Sequence, residues 1–258
     1  MCLILLAHDT HPDYSLVVAA NRDEFYDRPT ARAAFWKDAP RVLAGRDLRA
    51  GGTWLGIDRG GRFAAVTNYR QGRREPEAPE SRGRLVSDYL TGGSDGGAHV
   101  ERVEREAARY NGFNLIAGDT GALFYLSNRE GQARALEPGV YGLSNHLLDS
   151  PWPKVTAAKS GLSALLAGGG DLVPSLFDLL ADRRQAVDAE LPATGVGPEW
   201  ERLLSSAFIA SEGYGTRCST VVLVGRDGCV VFAERGFGPG GTPEEEVRHE
   251  FVIDRQAA

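Results

Sequence analysis

Cysteine is scarce: Cys2, Cys218 and Cys229 are the 3 in 258 residues, and no two have C-x-x-C spacing. So sparse and odd a set excludes a disulfide framework and a structural zinc site, and reads as reduced thiols. Long apolar runs are missing as well. None approaches the ~20 residues that carry a helix across a bilayer. The apolar run at 3–7 has no basic lead and meets His8 and Asp9, which excludes a secretory signal, so a cytoplasmic protein without a membrane span is expected. There is no excess of positive charge. The formal net charge is −6, whereas nucleic-acid phosphates call for clustered Lys and Arg. The 5 histidines do not gather with the cysteines; His8 and His11 are read as turn residues, and no metal site or cofactor is expected. No P-loop occurs, and no dinucleotide fingerprint follows a strand. Gly92-Gly93-Ser94-Asp95-Gly96 has the spacing of a hydrolase nucleophile elbow, but a helical pattern precedes it where a strand is required. It therefore reads as an interhelix linker.

What is present is ordinary globular composition, with 42% hydrophobic and 25% charged residues and length enough for a sizeable core. No internal repeat or boundary is visible, so residues 1–258 are read as a single domain. Apolar runs at 3–7 and 15–20 flank a polar turn and predict an antiparallel hairpin. Neither run alternates, so both strands are expected to be covered on both faces. Further hairpins are predicted at 51–57 with 62–68, 113–118 with 122–126, and 216–224 with 229–234, and another strand at 139–143. Apolar spacing predicts helices around Leu85–Leu90, Val100–Tyr110, Val155–Leu165, Leu176–Leu180 and Trp200–Leu204. Hairpins covered on both faces, with helices between them in sequence, imply an α+β fold: a four-layer α-β-β-α sandwich of antiparallel sheets. The loop at 71–84 carries Arg73, Arg74, Arg82 and Arg84 among Glu75, Glu77 and Glu80. With Arg70 it is read as solvated mixed charge.

The first residues carry the chemistry. Removal of Met1 would make Cys2 the terminus, with a thiol and an α-amine on one residue. The amine titrates at ~7.7–8.0 and the thiol at about 8.5, so the amine can accept the thiol proton and release the nucleophilic thiolate. A small core residue opening a strand is the other reading of Cys2. A catalytic cysteine needs a carboxylate for its amine, a guanidinium to favour thiolate and amide donors for an oxyanion. Asp23, Arg22 or Arg217, and Asn145 or Asn68 stand where apolar runs give way to polar residues, and they fill those roles. Trp36, Trp54, Tyr69 and Trp152 are candidates for lining a substrate pocket or for the core.

Met1-Cys2, Asn21-Arg22-Asp23-Glu24, Gly52-Thr53-Trp54-Leu55-Gly56, Thr67-Asn68-Tyr69-Arg70, Gly142-Leu143-Ser144-Asn145 and Tyr214-Gly215-Thr216-Arg217 together resemble the NRDE proteins, also called the transport and Golgi organisation two family. The resemblance implies an N-terminal-nucleophile hydrolase fold, similar to choloylglycine hydrolases and penicillin V acylases. It implies Cys2 as nucleophile and base, Asn145 as oxyanion donor assisted by Asn68, and Arg217 near the thiol; of the aromatic residues above, Trp54 and Tyr69 are the substrate-binding candidates. The acylases have arginine, asparagine, a variable residue and aspartate where this chain has Asn21 to Glu24. On a strand Asn21 and Asp23 share one face and Arg22 and Glu24 the other, so either carboxylate could meet the amine. The resemblance implies an amidohydrolase of linear, non-peptide amides. The alternative is a non-catalytic binding or trafficking protein of the same fold that handles haem, acyl or lipid ligands, since family members are linked to haem mobilisation and lipid metabolism.

Overall fold

The computed structural model describes residues 2–72 and 78–254. Met1, whose removal the chemistry requires, and Arg73, Arg74, Glu75 and Glu77 of the charged loop lie outside the described residues. The chain opens with β1 (Cys2–His8) and β2 (Tyr14–Phe25), followed by β3 (Thr30–Phe35), β4 (Val42–Asp47), β5 (Leu55–Asp58) and β6 (Phe63–Asn68). Helices α1 (Gly83–Thr91) and α2 (Gly96–Arg105) come next, then β7 (Phe113–Gly118), β8 (Leu123–Ser127), β9 (Arg134–Leu136) and β10 (Gly139–Leu143). Helices α3 (Pro153–Gly168), α4 (Leu172–Leu180) and α5 (Pro198–Leu203) precede β11 (Tyr214–Gly225), β12 (Cys229–Gly238) and β13 (Thr242–Val252).

The strands form two antiparallel sheets, ordered β10-β1-β2-β11-β12-β13 and β3-β4-β5-β6-β7-β8-β9. The period of two explains why the early strands are apolar throughout. Ile4 and Leu6 of β1, with Leu16, Val18 and Ala20 of β2, point into a core that Leu55, Ile57, Phe63 and Ala65 of the other sheet complete. Leu3, Leu5, Val17 and Ala19 point outward, against Val155, Leu162, Leu176 and Phe177 of α3 and α4. On the far side Ala64, Val66 and Leu115 meet Leu85, Val86, Val100 and Val103 of α1 and α2. Each fully buried Leu or Ile contributes about 1.5–3 kcal/mol relative to exposure. The result is the α+β four-layer α-β-β-α sandwich. No helix of the described residues is long and apolar enough to cross a membrane.

Several local expectations change. Asn21 to Glu24 lie inside β2, which runs on to Phe25, so the polar cluster is part of the sheet and not its end. His8 closes β1 and is buried, not a turn residue. Asp95 of the glycine-rich linker caps α2 by accepting the Ala98 N–H at 2.9 Å. Strands β3, β4, β9 and β13 are additions to the sequence reading.

Candidate active site

A cleft open to solvent lies between the sheets at the Cys2 end. Cys2, Arg22, Glu24, Arg217, Cys218 and Glu234 line it from one sheet, and Thr30, Arg46, Asp47 and Asn68 from the other; Asp23 and Trp54 also border it. Cys2 is placed there by periodicity. It is the next residue on the inward face after Leu6 and Ile4, at the point where the apolar core gives way. Its register partner is Arg22, which pairs in turn with Cys218 of β11. Two strand spacings, about 10 Å, separate the two sulfur-bearing residues, too far for a disulfide.

The Asp23 backbone N–H bonds the Cys2 sulfur. Burial pushes the Cys2 thiol up, and the Arg22 charge and this N–H pull it back only in part. The buried sulfur is therefore a thiol at neutral pH and needs a base to become a nucleophile. Arg22 is nearly enclosed, with one long contact to Thr30 Oγ1 (3.4 Å) and Glu24 Oε2 at 3.9 Å.

Asp23 and Asn21 face the helical layer. Asn21 Nδ2 donates to the Leu180 and Ala207 carbonyls at 2.9 and 2.8 Å, and Ser219 Oγ donates to Asn21 Oδ1 at 2.6 Å. Asp23 Oδ1 accepts Thr216 Oγ1–H at 2.7 Å. Burial pushes the Asp23 carboxyl up, against the charges of Lys154 and Arg70.

Arg217 reaches the cleft through an irregularity. β11 pairs Thr216 with Asp23 and then Cys218 with Arg22, leaving Arg217 as the extra residue of a bulge. Adjacent residues of a regular strand would point to opposite faces; here Arg217 and Cys218 both line the cleft. Arg217 Nη1 donates to the carbonyls of Phe25 (3.0 Å), Tyr26 (3.4 Å) and Arg28 (3.1 Å), which ties down the turn after β2.

Asn68 and Asn145 belong to a strap between the sheets. Asn145 is fully buried and its Nδ2 donates to the Asn68 carbonyl at 2.9 Å. Ser144 Oγ donates to the Cys2 carbonyl at 3.0 Å, Thr67 Oγ1 to the Ser144 carbonyl at 2.7 Å, and the Arg70 N–H to the Asn145 carbonyl at 2.7 Å. Of the predicted site residues, Cys2, Arg22, Asp23, Asn68, Arg217 and Trp54 share the cleft, whereas Asn145 stands one residue behind Asn68. Tyr69 does not line the cleft; its ring lies 5.0 Å from that of His146. Trp36 packs beneath α1 and α2, and Trp152 lies under the Arg70 guanidinium at 4.5 Å.

Sequence reading missed three features. Arg70 is not solvated: it is buried and pairs with Glu201 at 2.9 Å. Glu234 is buried in the cleft wall and accepts the Ala33 N–H at 2.8 Å. Burial pushes its carboxyl up, and Arg22 pulls it down. The signal was its phase, since Val230, Phe232 and Glu234 alternate onto the inward face. Lys154 is buried on α3, in phase with Ala158 and Leu162. Among the described residues no cluster of His, Cys, Asp and Glu has the arrangement of a metal site.

A solved penicillin V acylase from Agrobacterium tumefaciens superposes with a TM-score of 0.50 at 12% identity, over 90% of this chain and 82% of that one. A conjugated bile acid hydrolase from Clostridium perfringens gives 0.50 at 9% identity, over 100% and 94%. At such identities the likeness establishes the fold, that of N-terminal-nucleophile hydrolases. Among sequence relatives, the Transport and Golgi organization protein 2 homolog of Bos taurus is 41% identical over 98% of this chain and 99% of its own length. The Homo sapiens homolog is 38% identical over 98% and 99%, and the Drosophila melanogaster protein 32% identical over 93% and 95%. The model of the family Transport and Golgi organisation 2 matches residues 1–239, and the chain belongs to that family.

Proposed function

We propose that the protein is an amidohydrolase of small, linear, non-peptide amides, with Cys2 as nucleophile once Met1 is removed. The observation that supports this most is the gathering of Cys2, Arg22, Asp23, Asn68 and Arg217 around one cleft. The free α-amine of Cys2 takes the thiol proton, and the thiolate attacks the amide carbonyl carbon. Asn68, which lines the cleft, meets the oxyanion, and Asn145 behind it holds the strap through its Nδ2 bond to the Asn68 carbonyl. The ammonium returns its proton to the leaving amine as the C–N bond breaks, leaving a thioester on Cys2. Water, deprotonated by the same amine, releases the acid. Asp23 orients that amine, and Arg22 and Arg217 favour thiolate. Neighbours of the same fold are named as an acylase and a conjugated bile acid hydrolase.

The cleft lining favours a polar substrate. Arg28 pairs with Asp47 at 2.7 Å, Arg46 with Asp38 at 2.7 Å, and Arg32 with Glu244 at 3.3 Å, so the walls are charged but internally neutralised. Trp54 and Val66 are the main apolar surfaces. A haem or a long acyl chain gains affinity from extended apolar contact, and here charged side chains interrupt the apolar surface. The same reading takes residues 1–258 as one domain acting in the cytoplasm, where Cys2 stays reduced. Purified wild type and C2A are to be assayed on a panel of N-acyl amino acids and acyl amides. Turnover of at least one amide, lost by about a thousandfold or more in C2A at unchanged melting temperature, is expected. Equal rates in both proteins, or haem or lipid binding with no turnover in either, would contradict the reading.

A further inference from the structure

The bulge in β11 does more than send Arg217 into the cleft; it also decides what faces Asp23. Ser219 pairs with Asn21, and Cys218 with Arg22. A regular strand would continue with Arg217 opposite Asp23, on the helical side, where a guanidinium would tie up the carboxylate. The extra residue moves the register by one, and Thr216 takes that place. Thr216, Asp23 and Ile209 are all buried.

Thr216 is held from behind. Its backbone N–H donates to the Ile209 carbonyl at 2.9 Å, and its Oγ1 accepts the Ile209 N–H at 2.9 Å. A hydroxyl has a single hydrogen. With the amide N–H on one side of Oγ1, that hydrogen goes to Asp23 Oδ1 at 2.7 Å. The bond therefore runs one way: a proton on Oδ1 would meet the Thr216 hydrogen head on. Such a bond favours the carboxylate, against the burial that raises Asp23. The ionisable groups whose charges reach Asp23 are Lys154 of α3 and Arg70 beyond β6, with Cys2 of β1, Tyr26 after β2 and Tyr214 of β11.

We propose that Thr216 is a positioning residue: its hydroxyl, made a one-way donor by Ile209, keeps Asp23 an acceptor for the α-amine of mature Cys2. The register directs that amine to it. β1 pairs Leu3 with Asn21 and Cys2 with Arg22, so the amine, at the very end of β1, heads toward Asp23. The purpose rests on the hydrolase reading; the hydrogen-bond chain does not. An amine takes the thiol proton through its lone pair. A carboxylate accepts one of the amine hydrogens and leaves the lone pair to the thiol. A protonated Asp23 would donate into that lone pair and block it.

The test is alkylation of Cys2 by iodoacetamide as a function of pH, followed on the N-terminal peptide by mass spectrometry so that Cys218 and Cys229 do not contribute. Wild type, T216V, T216S, D23N and D23N/T216V are compared as mature full-length proteins. T216V keeps the shape of the side chain and loses the donor. Its profile should move up by about one pH unit, roughly tenfold slower alkylation on the acid side. T216S should restore the wild-type profile, and D23N/T216V should match D23N, since Thr216 acts only through the carboxylate. A T216V profile that superposes on wild type overturns the inference, and so does a T216S profile that follows T216V. A shift of the same size on the D23N background overturns it too, as does a lowered melting temperature without a shift, which marks a purely structural threonine. Should T216V not fold, T216C stands in, its thiol being a weaker donor; its profile should move the same way by less, and an unmoved one overturns the inference. A shifted alkylation profile without hydrolysis of any amide in the panel would sink the hydrolase reading and leave the Thr216–Asp23 link standing.

Discussion

Arg70 shows how far a residue's meaning depends on where the chain takes it. In sequence it heads a run of Arg and Glu and reads as solvated charge. In the fold it is enclosed, stacked on Trp152 and paired with Glu201, whose other oxygen accepts the Thr194 N–H at 2.7 Å. Glu201→Gln leaves a guanidinium buried with a weaker partner. It should cost about 3–5 kcal/mol in urea unfolding; a loss under about 1 kcal/mol would mean that water reaches the pair. Cys2, Asp23, Asn68 and Arg217 could be singled out from sequence because each abuts an apolar run. Lys154 and Glu234 could not, because their significance lies in the phase of a helix and a strand, and a charged residue at a buried phase is discounted until the buried face is known. The bulge at Arg217 left no sequence signal, for the residues around it, Thr216 and Cys218, suit a regular strand equally well.

Elements differ in how plainly they announce themselves. β1, β2, β6, β7 and β11 each contain an apolar run because both faces are covered there, and α1 to α4 keep helical apolar spacing. β3 exposes Arg32, β4 ends in half-buried Arg46 and Asp47, and β13 is an edge whose exposed charged residues such as Glu244 to Glu246 read as loop. The α1–α2 pair offers a pH test. His99 of α2 bonds the Leu85 carbonyl through Nε2 at 2.9 Å and Arg102 through Nδ1 at 3.0 Å. A carbonyl only accepts and a guanidinium only donates, so the imidazole is neutral, with its proton on Nε2. Burial, reinforced by Arg102, brings its pKa from 6.5 down to about 4. A depressed folded-state pKa means stability that is whole above 6.5 and lost as pH falls toward 4. Between pH 7 and 4 the wild type should lose about 3 kcal/mol more than H99Q; parallel curves would contradict this. The cleft wall depends on a close approach between Gly52 and α1. A Cβ on Gly52 would sit 2.6 Å from the Gly83 carbonyl carbon and oxygen, which are backbone and have no room to yield. Gly52→Ala should cost about 1–3 kcal/mol by urea titration, and a loss below about 0.5 kcal/mol would show that the wall moves easily.

At the scale of the molecule, the layers follow from hairpins that are apolar on both faces, since only a second sheet on one side and helices on the other can cover them. That architecture brings the chain's beginning to the mouth of the cleft between the sheets, and it brings β2, β6 and β11 there from distant parts of the sequence. The Asn68–Asn145 strap and the turn after β2 then close around Cys2. The chemistry proposed requires that the α-amine belong to Cys2 itself. The most direct measurement is the intact mass of the purified protein, with sequencing of its N-terminal peptide. The account predicts a chain that lacks Met1 and begins at an unmodified Cys2. A chain that keeps Met1, or whose Cys2 amine is acylated, would contradict it.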